Sequence, residues 1–138
     1  MATPRRRQAK TSPSDTFTLL CKSHLKTECV KEYRFHETRK WRFDYALPSY
    51  KIAIEIDGGV WTLGRHNRPK GYINDLEKFN EAAALGWLIL KFTPQQQYTA
   101  KTFRLLKRTI RQRAEETARI SGEDNKNDYG QLGTTPTT

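Results

Sequence analysis

The sequence predicts an α/β domain in which a helix, a three-strand meander, a helix, a strand and a final helix follow one another. Three observations predict it. Apolar residues recur at helical spacing after Ser14, after Ile73 and after Thr99. Between Val30 and Asp57 the period falls to two. The run Trp87-Leu88-Ile89-Leu90-Lys91-Phe92 has the length and apolarity of a buried strand. With 138 residues and 36% apolar content, the chain has material for one domain and a modest core.

Residues 1–13 are small, polar and basic, and read as a disordered arm. Ser14 reads as a helix N-cap with Asp15 in the first turn. Phe17, Leu20, Cys21, His24 and Leu25 form the stripe of the helix that follows. His24 sits on that stripe, which makes it a packed or boundary residue rather than a ligand. Cys21 and Cys29 are eight residues apart, a spacing that matches no zinc pattern. Cys21 reads as a small hydrophobe and Cys29 as a free thiol in a reducing compartment.

Tyr33 and Phe35 alternate with Glu32, Arg34 and His36, and Trp41, Phe43 and Tyr45 alternate with Arg42, Asp44 and Ala46. This is a hairpin with an aromatic face and a charged face. Pro48 ends it, and Tyr50 to Asp57 make the third strand. The second helix is expected from Ile73 to Leu85 with Ile73, Leu76, Phe79 and Ala83 buried, and Gly86 as its cap. The last helix is expected over Thr99 to Ile120, with Phe103, Leu106, Ile110 and Ala114 inward. The folded domain therefore spans 14–120, and residues 121–138 read as a disordered tail.

The formal charge is +10, and its placement matters more than its size. The first 14 residues carry four basic side chains and no acid, and residues 99–120 carry seven basic and two acidic ones. The core between them is nearly balanced and holds the acids. Basic flanks around an acidic centre suit a polyanion held by its backbone and cut at a metal. Charge alone equally suits a non-catalytic binder. No apolar run approaches the roughly 18 residues of a membrane span, and no apolar segment follows the basic N-terminus as a secretory signal requires. The expectation is a cytoplasmic protein without a membrane partner.

In the third strand Ile52, Ile54 and Ile56 alternate with Ala53, Glu55 and Asp57. A period of two puts Glu55 and Asp57 on one face, about 7 Å apart along the strand. Asp44 lies in the preceding strand, so pairing of the two strands would gather up to three carboxylates near one sheet end. In so basic a protein these acids read as a seat for a divalent metal beside a phosphate.

The order of elements and four short stretches resemble the PD-(D/E)xK nuclease superfamily, in the short branch related to very-short-patch-repair endonucleases and their phage and bacterial relatives. The stretches are Asp44-Tyr45-Ala46, Ile54-Glu55-Ile56-Asp57-Gly58-Gly59, Asp75-Leu76-Glu77-Lys78 and Gly86-Trp87-Leu88-Ile89-Leu90-Lys91-Phe92. The match covers about residues 30–93. The resemblance implies a restriction-endonuclease-like core: a central mixed four-stranded sheet, the meander plus one strand after a crossover helix, flanked by helices. It implies a Mg²⁺- or Mn²⁺-dependent DNA endonuclease acting on double-stranded or branched DNA, in which a homodimer is a common working form. Asp44 and Glu55 match the metal-binding acids, and the backbone carbonyl of Ile56 would complete the oxygen shell.

The chain departs from the parent pattern at one place. The lysine expected two residues after Glu55 is Asp57, as in the very-short-patch-repair branch, which also lacks it. Lys78 is the candidate replacement, with an ordinary helix pair to Asp75 or Glu81 as the alternative. Asp57 is read either as a ligand to a second metal or as an acceptor for the glycine-rich backbone amides beyond it. His66 is read as a water activator or proton donor, or as a phosphate contact. Glu32 offers a further acid or a cross-strand ion pair. Arg65, Arg68 and Lys70 in the loop, and Arg104, Lys107, Arg108 and Arg111 on the last helix, read as DNA-backbone contacts. Trp61 reads as a base-stacking wedge or a core residue. The alternative to an enzyme is a non-catalytic nucleic-acid-binding protein on the same fold.

Overall fold

A computed structural model describes residues 14–58 and 69–130, with residues 69–70 and 123–130 described as backbone alone. The basic arm, Trp61, Arg65, His66 and Arg68 lie outside the described residues, as does the side chain of Lys70.

Helix α1 spans Thr16–Leu25 and is capped by Asp15 rather than Ser14. The Asp15 carboxylate accepts from the Thr18 amide at 2.9 Å, and the Asp15 amide donates to the Thr18 hydroxyl at 2.9 Å. This reciprocal box satisfies two donors that a helix start leaves open. The other Asp15 oxygen accepts the Tyr45 hydroxyl, which ties the helix start to the sheet. Lys26 ends α1 in the left-handed conformation at φ 55°.

Strands β1 (Val30–Arg34), β2 (Arg42–Leu47) and β3 (Ile52–Ile56) form an antiparallel meander, with Val30 opposite Ala46 and Tyr45 opposite Ile54. The third strand starts later than expected. Pro48 opens a 3₁₀ turn over Pro48–Tyr50, and Lys51 turns left-handed before the chain extends. Helix α2 (Pro69–Ala84) crosses over to β4 (Leu88–Phe92), which lies parallel to β3 with Ile52 opposite Leu88 and Glu55 opposite Lys91. The sheet order β1-β2-β3-β4 makes a mixed four-stranded sheet, as expected. It also makes β4 an edge strand, so the apolar run expected to be buried is only half covered, with Leu88 exposed.

Helices α1 and α3 (Ala100–Gly130) cover one face of the sheet and α2 covers the other. Phe17, Cys21, Tyr45, Leu47, Ile52, Ile54, Phe92 and Leu106 form the first core. Phe43, Ala46, Ala53 and Ala82 form the second, edged by Tyr33, Phe35, Trp87 and Ile89. Both cysteines are free thiols: Cys21 is buried, and Cys29 packs against the same core. Helix α3 continues ten residues beyond the expected end, into the segment read as a disordered tail. Adding residues to a helix already nucleated by packing is far easier than starting one, so a polar sequence extends it.

The aromatic face of the hairpin is not continuous. Phe43 packs with Trp87 on the α2 side, whereas Tyr45, two residues later, packs with Phe17 on the α1 side. Strand β1 switches at the same level. Lys31 pairs with Asp15 on the α1 side, and Tyr33 meets Trp87 on the α2 side. Between them Glu32 has φ 54°, a left-handed residue inside a strand, and that single residue reverses the alternation.

Helix α2 is rotated relative to its expected stripe. Ile73 and Leu76 are exposed and Ala83 is exposed, while Lys78 and Phe79 are half-buried and Ala82 is fully buried. Three alanines explain the rotation. Ala46, Ala53 and Ala82 meet with minimal side chains, which draws this face of the helix onto the sheet. Residues 71–77 are exposed throughout. They are braced by the β1–β2 turn through Arg39 to Glu77 and the Trp41 indole to Asn74.

Candidate active site

The face switch opens the sheet where the acids sit. The paired register of β2 and β3 ends at Tyr45 opposite Ile54. One step further the Asp44 carboxylate, rather than a main-chain carbonyl, accepts the Ile56 amide, at 2.7 Å. Asp44 thus sits where the two strands part, with one oxygen engaged by that amide. Glu55 lies beside it on the α2 face, as strand alternation from Ala53 requires.

Lys78 descends from α2 and donates to Glu55 Oε1 at 2.7 Å. Both side chains are only 13% exposed, so this is a largely desolvated ion pair. Burial pushes the Glu55 carboxyl up. The Lys78 hydrogen bond and charge pull it down, and the Asp44 charge and a hydrogen bond to Asp44 push it up again. The balance leaves Glu55 at about 7, well above its ordinary 4.5. Two carboxylates crowded together with a single ammonium make a site that a further cation would stabilise.

The other expected residues fall as follows. Ile56 is half-buried and supplies the amide that Asp44 accepts. Asp57 lies just past β3, exposed, with its amide donating to the Phe92 carbonyl at 2.7 Å. Glu32 forms the cross-strand ion pair with Arg42 at 3.4 Å. Among the described residues no three of His, Cys, Asp and Glu gather as a metal site. The structure therefore brings Asp44, Glu55 and Lys78 together, and does not add Asp57 or Glu32 to a cluster of three acids. Asp75 and Glu81 do not pair with Lys78; Glu81 lies 3.6 Å from His36 instead.

Arg104, Lys107, Arg108 and Arg111 are all exposed on α3. That helix covers the face opposite the acid pair, yet its first turns lie near the same end of the sheet. Phe92 ends β4 beside Ile56, and the chain enters α3 eight residues later. Farther along, Arg113 donates to the Gly86 carbonyl at 3.0 Å, at the opposite end of β4. Arg113 is thus a strut rather than a free cation.

Lys91 is a neighbour that the sequence reading leaves without a role. It stands opposite Glu55 on β4, and its ammonium lies 3.9 Å from the centre of the Phe79 ring, with Lys78 at 5.3 Å from the same ring. A lysine in an apolar strand is the signal that marks it. Among the described residues no helix is long and apolar enough to cross a membrane. Comparison with family models, curated proteins and solved structures gave no match.

Proposed function

We propose that the protein is a metal-dependent DNA endonuclease of restriction-endonuclease-like type, in which Asp44 and Glu55 hold a divalent cation and Lys78 replaces the missing motif lysine. The observation that carries this reading is the meeting of the three side chains at the parting of β2 and β3. The donor set fits a hard cation. One Asp44 oxygen accepts the Ile56 amide and one Glu55 oxygen accepts Lys78, while the two acids share a hydrogen bond whose proton a cation would displace, giving oxygen donors of the kind Mg²⁺ or Mn²⁺ prefers. The Ile56 carbonyl is the proposed third protein ligand.

When bound, the ion supplies Lewis acidity toward the phosphodiester and lowers the pKa of a bound water. The protein's own groups do the rest. The Ile56 amide fixes Asp44, and Lys78 favours the ionised form of Glu55 in a half-buried setting that would otherwise keep it protonated. Lys78 is the cation proposed to stand in for the missing lysine, orienting water or neutralising phosphate charge beside the second acid.

One observation favours the non-catalytic alternative: Lys78 already neutralises Glu55, as a purely structural ion pair would. Incubation with plasmid, single-stranded and branched DNA in Mg²⁺ or Mn²⁺ separates the two. Wild type is expected to cleave at least one substrate, with Glu55→Ala reduced by at least about 100-fold, the scale of losing a principal charge-stabilising group. Equal cleavage by both proteins would remove the site assignment, and no cleavage on any substrate would favour the binding protein.

A further inference from the structure

Among the described residues some cations are held by acids and others are not. Lys31, Arg39, Arg42, Lys78 and Arg113 are held by acids. Lys91, Lys101, Arg104 and Arg108 form no ion pair among the described residues, and they line one open groove of about 460 Å³ between β4 and α3. Thr99 and Thr102 also line it, with both hydroxyls donating to the Gln96 carbonyl at 2.8 Å, and among the described residues no acid lines the groove. Like charges collected without a counter-ion repel one another, so such a lining is stable only because solvent, or an anion, screens it.

Topology joins this groove to the acid pair. Lys91 is a groove residue and is also the parallel-strand neighbour of Glu55. Its side chain reaches the α2 face, where its ammonium sits against Phe79. It is thus the cation that bridges the edge of β4 between the basic helix on one face and the acids on the other. Lys78 is committed to Glu55, so it is not available to hold an anion in the same way.

We propose that the β4–α3 groove binds the phosphodiester backbone of DNA, and that Lys91 holds the phosphate that leads the strand over the β4 edge to Asp44 and Glu55. The destination rests on the nuclease reading, but binding in the groove does not. Lys101, Arg104 and Arg108 contact successive phosphates along α3, while Thr99 and Thr102, bonded to the Gln96 carbonyl, fix the helix start beneath that path. Lys91 positions the backbone rather than acting on the bond.

The test measures binding without chemistry. A fluorescent DNA duplex of about 20 base pairs is titrated with protein in EDTA at several salt concentrations. Lys91→Ala is expected to weaken binding roughly 5- to 20-fold and to reduce the slope of log affinity against log salt by about one, as loss of one phosphate contact requires. Lys91→Arg is expected to keep both values, and Arg104→Ala with Arg108→Ala to reduce the slope by about two. Lys22→Ala, at an exposed position of α1, is the unchanged control. Unfolding temperatures of the variants confirm that each is folded. Lys91→Ala binding with wild-type affinity and slope, or no binding by wild type, overturns the proposal. If Lys91 governs binding and no substrate is ever cleaved, the groove stands and the nuclease reading falls.

Discussion

Glu55 shows how much the site depends on neighbours that the sequence does not name. Its folded-state value of about 7 exceeds the ordinary 4.5, so the folded protein holds this proton more tightly than the unfolded chain does. The stability it contributes is complete below about 4.5 and is lost as pH rises through about 7. Glu55→Gln should therefore gain on wild type between pH 5 and pH 8, by on the order of 2–3 kcal/mol at most. Lys78→Ala has the opposite profile. At pH 5.5 Glu55 is mostly protonated and the variant should lose less than about 1 kcal/mol; at pH 8 it strands a half-buried carboxylate and should lose about 1–3 kcal/mol. Denaturant melts at the two pH values decide this, and equal losses would mean that the pair is solvent-screened. Strand alternation set Glu55 apart from the isoleucines, and Asp44 was marked by its place in the preceding strand and by the family resemblance. The Lys78 contact was not, because it depends on the rotation of a helix 23 residues away in sequence.

At the scale of elements, the sheet was readable and its irregularities were not. Alternation located β1, β2 and β3, and the apolar run located β4. Nothing in the sequence announces that Glu32 turns left-handed, because glutamate has no preference for that region. Yet this residue sends Tyr33 to the α2 side and leaves Lys31 on the α1 side, level with the switch between Phe43 and Tyr45 in the paired strand. A substitution tests the point against strand propensity. Glu32→Val, favourable in an ordinary strand, should destabilise by about 1–2 kcal/mol because a β-branched residue resists positive φ. Glu32→Gly should stay within about 0.5 kcal/mol, relief of strain offsetting the extra freedom of the unfolded chain. Chemical denaturation of both variants measures it, and a stabilised Val variant would contradict the face switch. The stripe of α2 was misplaced for a related reason. Periodicity weighs Ile73 and Leu76, whereas the helix is seated by the small contacts of Ala82 with Ala46 and Ala53.

For the whole molecule, the arrangement explains why the charge is distributed as it is. The acids lie on one face of a four-stranded sheet, the basic helix covers the other, and β4 is the edge between them. The sequence reading placed a basic late helix after a core that holds the acids, but neither their opposite faces nor the Glu55–Lys91 register that links them. The account stands or falls on whether the Asp44–Glu55 pair receives a divalent cation. Isothermal titration with Mn²⁺ at pH 6.5, in two buffers of different ionisation heat, measures this without reference to any substrate. The account predicts about one Mn²⁺ per chain, with release of up to about one proton as Glu55 ionises, and loss of binding in Asp44→Asn. Binding that persists unchanged in Asp44→Asn, or no binding by the wild-type protein, would contradict it.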